Sequence, residues 1–233
     1  ALIAAILAQL AHTHATPGNF NNEIGVPLTL LGLRADHRYA VIEMGCGKPG
    51  DIDELAAIAP PHVALVTNVA AAHLERLGSE EGVARAKAGI YRGLLDGGTA
   101  VINADDAFAH YFREQAGAHR VIDFAIDGPA AVRAEKIEIG LKSGFRLATP
   151  AGSVAIELPL PGRHNIMNAL AASSLALAVG TPLDAIAAGL AQAAAVGGRQ
   201  HRLAVRGGVI YDDSYNANPG SLSAAIETLA LEP

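Results

Sequence analysis

Four short apolar runs, YAVIEMG (39–45), HVALVTNV (62–69), TAVINADD (99–106) and HRVIDFA (119–125), alternate with helix-patterned segments. A strand that is apolar along its length must be covered on both faces, and the connection between parallel neighbours is commonly a helix. The intervening segments fit that role. DIDELAAIA (51–59) carries acids in its first turn, where the helix dipole favours them. SEEGVARAKAGIYRGL (79–94) has Ser79 as its cap, and a further helix is expected over about 107–116. The expected fold class is therefore α/β, a mostly parallel sheet flanked by helices. Residues 131–160 break the pattern: AVRAEKIEI, GFRLAT and SVAIELPL alternate apolar and polar residues and are separated by KSG and PAG turns. They predict a small antiparallel patch.

The flanks are read in the same way. Residues 1–12 predict a helix, 13–23 (THATPGNFNNE) a polar loop, and 26–33 a short helix with Pro27 in its first turn. Beyond the antiparallel patch come two Ala-rich helices (165–179 and 182–195), strands at 201–206 and 208–213, and a last helix over about 219–230. The chain starts at Ala1 inside a helix and stops at Pro233 just after one, so both ends are expected to be cut from something longer.

Composition excludes several classes. With 51% hydrophobic and 17% charged residues in 233, the chain builds a core rather than remaining disordered. A net charge of -6 and the absence of Trp argue against gripping nucleic acid. The single cysteine, Cys46, rules out an intramolecular disulfide and a Cys-type zinc site. No run reaches about 18 uninterrupted apolar residues, so no membrane span is expected and a cytoplasmic protein is.

In open α/β sheets, ligands bind beyond the carboxyl ends of the strands. Glu43 follows the first apolar run, His73 the second, Asn103, Asp105 and Asp106 the third, and Asp212 and Asp213 close a later strand. If the parallel reading holds, carboxylates and a histidine share one rim, a donor set suited to Mg²⁺ or Mn²⁺ with room for phosphate oxygens. On composition alone, Glu43 is equally a strand-end acid capping a loop, and His73 a loop histidine bonded to backbone.

No Walker A loop is present: the only Gly-Lys pair, Gly47-Lys48, is followed by Pro49, and Ile42 occupies the place of the first glycine. GGRQHR (197–202) is a basic turn able to hold an anion, or a plain surface turn. Lys87 by itself reads as a solvated helix lysine. Asn165 and Asn168 share one face at the start of an otherwise apolar helix, beside His164, where they could read the edge of a planar ring. DDSYNANPGS (212–221) reads either as a ligand loop or as capping chemistry.

Taken in order, TPGNFNNEIGVPLTLL, VIEMGCGKPGDI, TNVAAAHLERLGS, AKAGIY, INADD, GRHNIMNALAA and DDSYNANPGSLSAAIETL resemble the central ATP-binding domain of the Mur ligases. These are the ATP-dependent amide-forming enzymes of peptidoglycan precursor synthesis. The EMG tripeptide, the GNFNNEIGVPLTLL loop and the DDSYNANP loop are most similar to the branch that adds D-Ala-D-Ala to UDP-MurNAc-tripeptide. The resemblance implies ATP and Mg²⁺ as cofactors, small-molecule substrates and a monomer. It places Glu43 and His73 as Mg²⁺ ligands, and Lys87 as a lysine carbamylated by CO₂. It places His164, Asn165 and Asn168 on the adenine side, Asp213 at the ribose, Arg202 near the phosphates, and Asn19 and Asn22 near the muramyl substrate.

The chain departs from the family pattern at three places. Cys46-Gly47-Lys48 stands where Ala-Asn-His is usual, Arg76-Leu77 where Gly-Phe is usual, and Gly89 where a glutamate is usual. The family's Walker A loop is expected directly before the first helix, with a UDP-binding domain ahead of it and an amine-binding domain after this one. Residues 1–233 are thus expected to be the central domain, truncated and inactive alone.

Overall fold

The computed structural model describes residues 1–69, 74–194, 197–215 and 219–232. The chain opens with α1 (Leu2–Leu7), β1 (Thr13–Ala15), α2 (Gly25–Leu31), β2 (Tyr39–Val41) and α3 (Asp51–Ile58). Then come β3 (Val63–Val66), α4 (Leu74–Leu77), α5 (Glu80–Lys87), α6 (Gly89–Arg92), β4 (Thr99–Asn103), α7 (Ala109–Ala116) and β5 (Arg120–Ala125). Strands β6 (Val132–Glu138), β7 (Ser143–Thr149) and β8 (Gly152–Leu158) precede α8 (Arg163–Ala178) and α9 (Leu183–Ala191). Last are β9 (His201–Val205), β10 (Gly208–Asp212) and α10 (Pro219–Leu229).

The main sheet has six strands in the order β3-β4-β5-β6-β7-β8. The pairs from β3 to β6 are parallel and those from β6 to β8 antiparallel, so the antiparallel patch continues the parallel sheet. Strand β4 is buried along its whole length. Its Val101 faces a core cluster with Ile166, Leu170 and Phe124, while Ala100 and Ile102 face a second cluster with Ala84, Tyr91 and Phe112. The expected cover on both faces is present: α8 lies on one side, α5, α6 and α7 on the other. Tyr91 inserts its ring fully into the second cluster, where its hydroxyl accepts from Val66 N at 3.0 Å and donates to Val101 O at 2.8 Å. A buried phenol of this kind needs both partners.

Residues 126–131 join two parallel strands without a helix. A crossover normally needs a dozen or more residues. Here β6 begins beside the end of β5, with Phe124 opposite Val132 and Ala125 opposite Arg133, so the chain has little distance to recover. Asp105 organises the turn, accepting from the backbone N–H groups of Ile126 (2.6 Å), Asp127 (3.1 Å) and Gly128 (2.8 Å). Burial pushes the Asp105 carboxyl up, but the three donors outweigh it and hold it below its usual value.

Three sequence expectations change. Thr13–Ala15 is a strand paired in parallel with β2, not loop. It is only three residues long and half-buried, too short to show a period against its turn-rich surroundings. Strand β2 belongs to that two-stranded sheet, and β9 with β10 forms an antiparallel hairpin, so the candidate residues follow strands of three sheets rather than of one. The helix expected over 79–94 divides at Ala88 into α5 and α6, although Ser79 caps it as expected, accepting from Gly82 N at 3.2 Å. Tyr91 N bonds to Ala88 O, an i to i+3 bond that tightens the chain there.

Helix α1 seats on α9 at Gly189, where an added Cβ would lie 2.4 Å from Ile6 Cα. In an exposed helix Gly→Ala gains up to about 1 kcal/mol. Here the obstruction is backbone, so Gly189→Ala is expected to destabilise instead, by about 1–3 kcal/mol as in other overpacked cores. The urea midpoint of the variant checks the sign.

Candidate active site

The first half of the site forms where the loop after β1 folds over the end of β2. Thr16 N donates to Val41 O at 3.0 Å, prolonging the parallel pairing by one residue. Its hydroxyl accepts from Glu43 N at 2.9 Å. Asn21 lies against the same segment: its carbonyl accepts from Gly45 N at 2.7 Å, and its Nδ2 donates to Glu43 Oε1 at 2.8 Å. Gly45 is a glycine for a steric reason, since an added Cβ would lie 2.8 Å from Asn21 Oδ1. Glu43 is exposed and held at both its backbone and its carboxylate. Asn22 faces away, its Oδ1 accepting from Gly25 N at 2.8 Å to cap α2, and Asn19 is exposed.

The next turn is closed by Asp51, whose Oδ2 accepts from Gly47 N and Lys48 N, both at 2.9 Å. Cys46, beside this turn, lies within electrostatic reach of Lys87, the last residue of α5. Lys87 Nζ donates to Asn68 O beyond β3 at 2.8 Å. Partial burial pushes the Lys87 ammonium down from its usual pKa, against the opposing pull of Cys46 and Asp106. Burial likewise raises the Cys46 thiol, with Asp51 adding to the rise and Lys87 opposing it. Asp106 ties β4 to β3 by accepting from Val69 N at 2.7 Å, and Asn103 does the same by donating to Thr67 O at 3.1 Å. Segments following β2, β3 and β4 therefore converge on Lys87. His73 lies outside the described residues.

The second half lies at the start of α8. Partial burial lowers the His164 pKa, opposed by Asp213 and then Glu227, which places Asp213 within electrostatic reach of the imidazole. Asn165 Nδ2 donates to Pro161 O at 2.7 Å, and Asn168 is exposed. Asp213 Oδ1 accepts from Gln200 N at 3.0 Å, and the Arg199 guanidinium stacks over the Tyr215 ring at 4.2 Å. The turn at 197–202 is thereby bound to the end of β10. Arg202 itself is engaged by Glu232, through Nε at 2.6 Å and an Nη at 3.0 Å.

Of the expected residues, Glu43 and Lys87 flank one convergence of strand ends, and His164 and Asp213 form another. Asn22 acts as a helix cap and Arg202 as an ion-pair partner in this structure. Asn21 and Thr16 are the contacts the sequence reading missed. The signal for Asn21 was Gly45, a glycine just after a strand, which often marks a close approach of another segment. Among the described residues no three His, Cys, Asp or Glu side chains group as a ready metal cage. Gly89, one departure from the family pattern, is explained by packing: an added Cβ would lie 2.8 Å from the Asp53 carboxylate and 2.9 Å from Asp53 N. Helices α3 and α6 are too close there for a glutamate.

A protein-family comparison matches residues 1–176 to the Mur ligase middle domain. The chain belongs to the Mur ligase family. It is 45% identical over 238 residues to the UDP-N-acetylmuramoyl-tripeptide–D-alanyl-D-alanine ligase of Escherichia coli K12, covering 100% of this chain and 52% of that protein. It is 43% identical to the ligase of the same name from Haemophilus influenzae, covering 92% of this chain and 47% of that one. Among solved structures, MurF from Acinetobacter baumannii superposes with a TM-score of 0.96 at 41% identity, covering 100% of this chain and 51% of that one. MurF ligase from Thermotoga maritima in complex with ADP gives 0.87 at 27% identity, covering 100% and 54%. The chain spans about half the length of the relatives it matches.

The Lys87 environment sets a pH dependence. The unfolded chain holds a proton on this amine up to about 10.5, while the folded chain gives it up sooner. Between the two values the unfolded state binds more protons, so stability rises with pH, and below the folded value the full cost of burying the ammonium remains. Compared with Lys87→Met, the wild-type protein is expected to gain stability as the pH rises toward about 10.5. Paired urea titrations check this, and an unchanged difference between the two proteins refutes it.

Proposed function

We propose that this chain is the nucleotide-handling domain of an ATP-dependent ligase that joins D-Ala-D-Ala to UDP-MurNAc-tripeptide in cytoplasmic synthesis of peptidoglycan precursors. One observation carries the reading: the whole chain superposes on a MurF at a TM-score of 0.96 and 41% identity. Because those relatives are about twice as long, the activity, the substrates and a monomeric state are proposed for a protein of their full length. Among the described residues no helix is long and apolar enough to cross a membrane, which accords with water-borne substrates.

The residues present fit both cofactors. Mg²⁺ favours hard oxygen ligands and takes only one or two from protein, keeping water and phosphate for the rest. Glu43 offers such a carboxylate, exposed and pre-oriented by a neutral amide. In this reading Glu43 and His73 hold Mg²⁺, whose role is to offset the charge of phosphate and carboxylate oxygens. His164, Asn165 and Asn168 take the adenine side of ATP, Asp213 the ribose and Arg202 the phosphates.

The chain's own part in the chemistry is positioning and charge control. Lys87 has a depressed pKa, so more of it is the neutral amine that reacts with CO₂. The nitrogen lone pair forms an N–C bond to the carbon, a proton leaves to solvent, and a cation becomes a carboxylate-like anion. That change supplies an anion where the segments after β2, β3 and β4 converge. The peptide carboxylate, a poor electrophile, is activated as an acyl phosphate. It is then attacked by the dipeptide amine, with phosphate leaving. In this reading Asn19, which is exposed, and Asn22, whose oxygen accepts from Gly25 N, lie near the muramyl substrate.

The test is phosphate release from Mg-ATP by the full-length protein with UDP-MurNAc-tripeptide. Release should require D-Ala-D-Ala and fall at least about 100-fold in Lys87→Ala, the scale of losing one electrostatic element of a site. Release driven by a different amine reassigns the substrate, and no release with any amine overturns the ligase reading.

A further inference from the structure

We infer that Asn21 is a positioning residue for Glu43, fixing its carboxylate for a divalent cation; the inference rests on the metal-holding role proposed above for Glu43. Three contacts lock Asn21 in place. Its carbonyl accepts from Gly45 N at 2.7 Å, its N–H donates to Asn19 O at 2.8 Å, and its side chain packs on the bare α-carbon of Gly45. From that seat Nδ2 donates to Glu43 Oε1 at 2.8 Å. Glu43 has no salt bridge among the described residues, so an amide rather than a cation orients it.

The choice of an amide matters chemically. An arginine or lysine would orient the carboxylate equally well but would neutralise the charge a metal ion needs. An amide restricts the rotamer and leaves the full negative charge, with Oε2 carrying no bond from Asn21. Thr16 completes the arrangement by accepting from Glu43 N at 2.9 Å, so both ends of the glutamate are held by neutral groups. The adjacent asparagine has a different task. Asn22 caps α2 and does not contact Glu43, which separates orientation of the carboxylate from stability of the helix.

The experiment is a Mn²⁺ titration of the full-length protein with a non-hydrolysable ATP analogue, read by electron paramagnetic resonance. Wild type, Asn21→Ala, Asn21→Asp and Glu43→Gln are compared, with melting temperatures taken without metal. Loss of an outer-shell partner costs about 10–100-fold in metal affinity, so Asn21→Ala is expected to weaken Mn²⁺ by at least about 10-fold. Asn21→Asp keeps the shape but replaces the amide with a carboxylate, which cannot donate to Glu43 Oε1. It should therefore shift Mn²⁺ affinity without the change of shape that Asn21→Ala makes. Unchanged affinity in Asn21→Ala with weakened affinity in Glu43→Gln overturns the role of Asn21 alone. Unchanged affinity in both overturns the metal role of Glu43 and this inference with it. A lowered melting temperature in Asn21→Ala with intact Mn²⁺ binding makes Asn21 merely structural and also overturns it.

Discussion

The burial of β4 on both faces is the constraint that determines where the site can lie. All five of its residues are buried, so the strand can offer chemistry only beyond its carboxyl end. The segment past that end is cross-tied rather than a free loop. Asn103 donates to Thr67 O and Asp106 accepts from Val69 N, binding the residues after β4 to those after β3. Asp105 looks the other way and organises the short connection into β6. Two adjacent acids thus serve two junctions. Against the platform they make, Lys87 docks through Asn68 O.

The state of Lys87 depends on how the neighbouring charges are spent. An ammonium beside a carboxylate ordinarily has its pKa raised, yet here burial wins and the value falls. The reason lies in the hydrogen bonds of Asp106. Its Oδ2 accepts from Val69 N at 2.7 Å and its Oδ1 from Phe108 N at 2.8 Å, so both oxygens are directed at backbone donors and none closes an ion pair with Lys87. The Cys46 thiol is itself pushed up by burial and supplies little negative charge at neutral pH. A lysine desolvated without a dedicated counter-ion is poised for chemistry at its nitrogen, whereas the usual solvated helix lysine is not.

Much of this was legible in the sequence, for identifiable reasons. The four apolar runs announced the parallel sheet because burial on both faces leaves no polar alternation, and the KSG and PAG turns bounded the antiparallel strands of 131–160. What stayed hidden depends on contacts between distant segments. Thr13–Ala15 becomes a strand only because β2 lies beside it. Asn19, Asn21 and Asn22 are equivalent in a polar loop until the fold sets Asn21 on Gly45 and Asn22 on the start of α2. The partnership of Arg202 with Glu232 joins residues 30 apart and leaves no local trace.

That last pair bears on how the basic turn could meet an anion. Glu232 is held down to about 2 by the Arg202 guanidinium, with the Tyr211 hydroxyl adding to the effect, so the glutamate remains ionised throughout the physiological range. Protonation therefore cannot release Arg202. Only a competing anion can, and the fork of the guanidinium suits a phosphate as well as it suits the bidentate carboxylate it now holds. The Arg202 side chain keeps 44% of its surface exposed in this pair while Glu232 is largely covered at 12%, so an anion arriving from solvent reaches the guanidinium rather than its partner. The observed pairing holds the guanidinium of β9 against the end of the chain, 30 residues away, and leaves part of it facing solvent.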